Sequence, residues 1–316
     1  MKVFKTYEEQ IEILKTRNLI IDDEEDFLES LKNLGYYNLI NGYSFIFKKD
    51  DDTYKNQASS KDILSIYIFD QSLRNIVYKY AMIIESKFKS LVSYIFSKHH
   101  GENERLYLIR DNFDKDNKKE IYIARLLINC YELIKNCSDD KNSKYKKYIG
   151  HYVQNHGHVP FWVLIRAMTL GDVSVFYANM RLSEKTEVAQ EFNLTPSQLE
   201  IMIKILVSFR NSIAHDERIF CKSVYKDKLP SNLSVYDIMN IKRNEAGDPL
   251  SGRYDFLALM IIFKYLLSPF DFAKFWNEFI VIRDILIKNI KSHFVAFINN
   301  EMGLKNKWIN LQRCRV

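Results

Sequence analysis

The residues best suited to chemistry fall in one short run. Residues 208–218 read Ser-Phe-Arg-Asn-Ser-Ile-Ala-His-Asp-Glu-Arg, placing Arg210, Asn211 and His215 within six positions. Histidine gives and takes protons near neutral pH. Arginine stays charged and grips phosphate with two prongs. Asparagine offers a donor and an acceptor that can hold the other two in place. The set suits phosphodiester cleavage without a metal, and in RNA the neighbouring 2′-hydroxyl can serve as the nucleophile. An Arg-x4-His spacing alone is a weak motif, because in this composition it arises by chance in about a third of such chains. The competing reading is a helix-end cluster in which Arg210 and His215 pair with Asp216, Glu217 or backbone carbonyls.

A helix must carry this run. Thr195, Pro196 and Gln198 form a capping box with proline at the first helical position. Leu199, Met202, Ile203, Leu206, Phe209 and Ile213 then recur at three- and four-residue steps. No glycine or proline interrupts residues 197–228, and a break near 214–216 is compatible with the pattern. At roughly 100° per residue, Asn211 and His215 lie about 40° apart and share a face, whereas Arg210 and His215 lie about 140° apart. Either the helix ends between Arg210 and His215, or a second copy completes the site across a symmetric dimer; we favour the dimer.

The run Arg210-Asn211-x-x-x-His215 resembles the R-N-x3-H signature of HEPN-type RNA nucleases, a class that includes type VI CRISPR nucleases. Three separated segments more closely resemble the bacterial abortive-infection (Abi) family of the AbiD/AbiF type. These are residues 34–43 (Leu-Gly-Tyr-Tyr-Asn-Leu-Ile-Asn-Gly-Tyr), residues 68–74 continuing to Ile84 and Glu85, and Phe161-Trp162 through Gly171-Asp172 followed by residues 209–220. Order and spacing agree over roughly residues 5–290. The resemblance implies an all-α, HEPN-like helical bundle with extra helices at both ends, phage defence, and RNA as substrate or partner. Arg210, Asn211 and His215 would be catalytic, with Glu85, Asp216 and Arg218 in support. The resemblance also implies a link to a neighbouring non-coding RNA. The alternative is a binding protein that holds such an RNA, or a partner, within a defence or toxin–antitoxin system without cutting. A purely structural helical protein is a third reading.

Composition agrees with a globular protein. Of 316 residues, 47% are hydrophobic, and only nine glycines and five prolines interrupt the chain, which favours long helices. The net charge of +6 permits a nucleic-acid partner without demanding one. Cys130, Cys137, Cys221 and Cys314 show no metal-type spacing and read as reduced thiols. No cofactor is implied. The start lacks the apolar centre of a signal peptide, and the longest apolar run, 256–267, contains Lys264 and is too short for a bilayer. The protein reads as cytoplasmic, without a membrane partner.

Along the chain we expect one helical domain. Residues 5–55 hold two helices and an aromatic turn, 60–220 the core, 221–253 an irregular insertion with a short helix near 235–241, 254–300 closing helices, and 301–316 a basic tail. A long helix over 60–98, capped by Ser60, carries Ile63, Ile66, Leu73, Val77, Tyr80, Ile84, Phe88, Leu91 and Ile95. Unbroken it spans about 57 Å, so a kink is plausible. Glu85 borders its stripe and can orient His215 or Arg210 from a neighbouring helix, or simply pair with a cation. Arg74 can face RNA or pair with Asp70 one turn earlier. The aromatics of 35–47 fit packing better than stacking on bases. A helix over 161–170 should bury Trp162, Leu164, Ile165 and Met168. His151, His156 and His158 lack the converging ligands a metal needs. Lys144, Lys146, Lys147, Lys242, Arg243, Lys305 and Lys307 are candidate RNA contacts, for which a solvated surface is the default.

Overall fold

In the computed structural model, residues 3–49, 51–55, 57–138, 146–305 and 307–314 are described. Among them the fold is all-α, with isolated bridges but no β-strand. The organising element is one continuous helix, Ser60–His100. Its cap is Ser59, one residue before the expected Ser60, because Asp62 reaches back to the Ser59 backbone N–H and hydroxyl. The Ser60 hydroxyl instead meets the Asp22 carboxylate. The expected stripe from Ile63 to Ile95 is buried, with Leu91 only partly covered.

Two helices lie against this axis. Pro269–Asn289 runs antiparallel to it: Ser65 meets Asn289, while Lys79 and Tyr80 meet Glu278 and Phe275. The motif helix, Pro196–Ala214, also runs against the long helix. At the far end, Lys98 and His99 pair with Glu187 of the Leu182–Gln190 helix, and His100 lies 2.7 Å from Glu184. Ion pairs at the middle and far end of the long helix thus reinforce elements whose apolar faces pack on it.

Two local expectations, the 161–170 helix and the burial of Trp162, differ from the structure for one identifiable reason. The stretch expected as one helix over 161–170 is a turn of helix, Phe161–Leu164, then a 3-10 turn. A new helix, Leu170–Asn179, comes next because Thr169 and Asp172 form their own capping box. Trp162 is consequently 47% exposed, while Leu164, Ile165 and Met168 are buried as expected. The closing helices after 267 are Pro269–Asn289 and Ser292–Glu301, parted where the backbone N–H and ammonium of Lys291 both turn to the buried Asp62 carboxylate.

The insertion over 221–253 is irregular around one short helix, Val235–Ile238, yet it is packed, with Leu229, Leu233, Tyr236 and Met239 buried. Asp255 anchors it by accepting from the Gly252 and Ala258 backbone N–H groups. The C-terminal segment is tied down too. Trp308 packs on Trp276 and Phe279, and the Arg283 guanidinium lies over its ring. Among the described residues, no helix is long and apolar enough to cross a membrane.

Candidate active site

The motif helix begins as its residues dictate. Thr195 accepts from the Gln198 N–H, and the Gln198 side chain accepts from the Thr195 N–H. Leu199, Met202, Ile203, Leu206 and Phe209 are fully buried; Ile213 is partly so. The helix ends by a Schellman closure. Asp216 takes a left-handed φ of 56°. Its N–H donates to the Ile213 carbonyl, and the Glu217 N–H donates to the Ser212 carbonyl at 2.8 Å. His215 is therefore the C-cap, its N–H donating to Asn211 one turn back at 3.1 Å. The helix thus ends at Ala214, between Arg210 and His215; because the His215 N–H still closes a helical turn onto Asn211, the count of roughly 100° per residue continues to set Arg210 and His215 about 140° apart.

One carboxylate fixes the segment beyond the motif. Asp70 is fully buried on the long helix. Its Oδ1 accepts from the backbone N–H groups of Ile219 and Phe220, at 3.1 and 2.9 Å. Its Oδ2 accepts from the Tyr43 hydroxyl at 2.8 Å and the Arg74 guanidinium at 2.7 Å. Arg74 also donates to the Tyr43 hydroxyl and pairs with Asp216 at 3.1 Å. The aromatic turn, the long helix and the segment beyond His215 thus meet on one side chain. Above them the Arg218 guanidinium donates to the Gly42 carbonyl and lies over the Tyr43 and Phe45 rings. Burial pushes the Tyr43 phenol well above its usual range, and the Asp70 charge adds to it. Burial likewise raises the Asp70 carboxyl, against the pull of its backbone donors and Arg74.

The catalytic candidates stand at the edge of this cluster. Arg210 is partly buried, and its Nε is enclosed without a hydrogen-bond partner. Asn211 and His215 are exposed, and neither side chain appears in a hydrogen bond among the described residues. Ser212, between them, donates to Glu217 and accepts from Lys222 at 2.8 Å. Next to the motif opens a cleft of about 380 Å³, walled by Ser212, Asp216, Glu217, Arg218 and Lys222 on one side and by Tyr37, Asn38 and Asn41 on the other.

The remaining candidates are placed elsewhere. The Glu85 carboxylate pairs with Lys89 at 2.7 Å and lines a separate cleft with Trp162 and Arg166; it contacts neither Arg210 nor His215. Arg74 turns inward to Asp70. Lys146 donates to the Ala167 carbonyl, and Arg243 braces the insertion through Ser231, Gly247 and Asp237. Lys147, Lys242, Lys305 and Lys307 are exposed, and none lines the cleft at the motif. Lys144 lies outside the described residues. Of the loop histidines, His151 meets Asn155 and His158 meets the His156 carbonyl.

Sequence reasoning gave Asp70 only as a partner for Arg74. The stronger signal was its position: an acid on the apolar stripe, between Ile66 and Leu73, must find buried donors. Tyr43 carried no such signal beyond its neighbours' aromaticity.

The fold and site together define an all-α protein in which an arginine–asparagine–histidine run, with Asn211 and His215 exposed, closes a helix against a buried aspartate clamp. A family model described as Abi-like protein matches residues 29–221, or 193 of 316 residues, and the chain belongs to that family. The match spans the aromatic turn, the long helix and the motif helix, and stops one residue past Phe220. Searches among curated proteins and solved structures found no match.

Proposed function

We propose that the protein is an abortive-infection endoribonuclease of the AbiD/AbiF type that acts in phage defence by a HEPN-like, metal-independent mechanism. The observation that carries this reading is the state of the motif: an exposed imidazole at the end of its helix, one turn from Asn211 and without a hydrogen bond among the described residues, and an Arg210 on the same last turns whose Nε has no partner. A helix-end cluster built only for stability would engage these groups with Asp216 or Glu217, yet those acids bond Arg74 and Ser212 instead.

In the proposed reaction His215 takes the proton of an RNA 2′-hydroxyl. That oxygen attacks the adjacent phosphorus, and the bond to the 5′-oxygen breaks. The products are a 2′,3′-cyclic phosphate and, once the leaving oxygen gains a proton, a 5′-hydroxyl. Arg210 stabilises the charge on the phosphate oxygens, and Asn211 holds the geometry. The nucleophile belongs to the substrate, so the mechanism requires no metal. Because the angular count sets Arg210 and His215 about 140° apart, a symmetric homodimer would bring the second motif that completes the site. Two histidines then divide the work of base and acid. Asp216 and Arg218 support the helix end. The exposed lysines Lys147, Lys242, Lys305 and Lys307 are candidate contacts for the rest of the RNA.

RNA cleavage in EDTA, compared between the wild type, His215→Ala and Arg210→Ala, tests the proposal; cutting by all three proteins alike sinks it. The second reading is a protein that holds a non-coding RNA without cutting. It draws on the cleft beside the motif, which neither Arg210 nor His215 lines. Salt-sensitive RNA binding that survives His215→Ala, with no cleavage by any form, favours it.

A further inference from the structure

The cleft beside the motif carries an inference that rests on RNA being the ligand and goes beyond the cutting site itself. Two of its walls have different origins. Ser212, Asp216 and Glu217 come from the helix end that presents Asn211 and His215, so whatever fills the cleft lies against the motif. Tyr37, Asn38 and Asn41 come from a π-helical turn, Tyr37–Asn41. Single π-turns are rare and concentrate at functional sites. Here the turn buries Leu39 and Ile40 and puts the other three side chains outward.

Those three side chains are unused by the fold. Tyr37 is 77% exposed, so its ring packs against little of the protein. The amides of Asn38 and Asn41 enter no hydrogen bond among the described residues, and each offers a donor and an acceptor. On the other wall, Arg218 and Lys222 stand beside Asp216 and Glu217. Mixed charge is a poor seat for a second phosphate, which the two acids would repel. It suits a neutral ring rich in donors and acceptors, with the cations close enough to meet the backbone on either side. At about 380 Å³ the cleft admits one such ring rather than a duplex.

We propose that this cleft seats a single unpaired nucleobase flanking the scissile phosphate. Tyr37 stacks on its face, and Asn38 and Asn41 read its edge, as specificity-determining residues. Tyrosine stacking gives affinity for every base, and the paired amides give preference among them.

The test uses the full chain carrying His215→Ala, so that binding is read without cutting. Fluorescence anisotropy in EDTA monitors four short single-stranded RNAs, each of a single base type. Adding Tyr37→Ala should weaken all four by about 5- to 150-fold. Adding Asn38→Ala with Asn41→Ala should level the preference among the four and leave the mean affinity closer to that of the parent. All three positions are exposed on a surface turn, and circular dichroism checks that the variants fold. The same substitutions in a chain retaining His215 should shift the positions of cut ends read by sequencing. If Tyr37→Ala and the asparagine pair change neither affinity, base preference nor cut positions, the base site is wrong even where the wild type cuts. If the base preference depends on these residues while no form cuts, the base site stands and the nuclease reading fails. If no RNA binds at all, both fail.

Discussion

Replacing Asp70 with alanine should cost about 4–6 kcal/mol of folding stability. The carboxylate is fully buried and accepts from two backbone N–H groups, a buried phenol and a buried guanidinium. Removing it leaves Arg74, among the described residues, with the exposed Asp216 as its counter-charge. Breaking a buried pair at one partner costs about 3–5 kcal/mol, and each backbone N–H left without an acceptor costs about 1–3 kcal/mol more. These losses overlap, because water entering the space would satisfy some of the donors, so the total falls below their sum. Against a domain stability of about 5–15 kcal/mol, the variant should be barely folded at 37 °C. Asp70→Asn retains the volume and one acceptor oxygen for Ile219 and Phe220, and should lose roughly half as much. Replacing both partners, Asp70→Leu with Arg74→Met, removes the stranded charge and should recover at least about 1 kcal/mol relative to Asp70→Ala. Urea unfolding monitored by the fluorescence of Trp162, Trp276 and Trp308 measures all four proteins. An Asp70→Ala protein within about 1 kcal/mol of the wild type, or a double variant less stable than the single, would refute the reasoning.

Three further outcomes are expected from other parts of the structure. Gly303 has φ of 73° and packs against the Asp255 carboxylate, where an added Cβ would collide; Gly303→Ala should therefore lose about 2 kcal/mol or more in the same urea assay. Burial alone would raise the Glu200 carboxyl, but hydrogen bonds from Lys185 and Lys204 hold it below its ordinary value. A depressed carboxyl stabilises the fold above its unfolded pKa and loses that contribution as pH falls through the folded one. Glu200→Gln should thus cost about 1 kcal/mol at pH 7, with the difference shrinking below the usual glutamate range. Burial pushes the Cys130 thiol up to about 12 and the Cys221 thiol up to about 11. Both should resist alkylation at pH 8 in the folded protein and react on unfolding, as mass spectrometry of labelled peptides would show.

Much of this architecture was legible because it is local. The Thr195–Gln198 box and the stripe from Leu199 to Phe209 are three- and four-residue relationships, and a helix reports them faithfully. What escaped was long-range or competitive. The break at Lys291 depends on Asp62, more than two hundred residues away. The split before Leu170 arose because Thr169 and Asp172 offered a better cap than continuing the helix. The Asp70 clamp joins Tyr43, Ile219 and Phe220, two of them through backbone groups that no side-chain pattern encodes. The aromatic turn divided in a way composition could not foresee: Tyr43 and Phe47 entered the core, and Tyr37 stayed outside.

The central claim is that Arg210 and His215 cut RNA. The most direct test incubates purified protein with single-stranded RNA in EDTA and identifies the ends by mass spectrometry, with His215→Ala and Arg210→Ala alongside. The account predicts 2′,3′-cyclic phosphate and 5′-hydroxyl ends from the wild type, and loss of cutting in both folded variants. Cutting that persists in either variant, or ends bearing a 3′-hydroxyl, would contradict it.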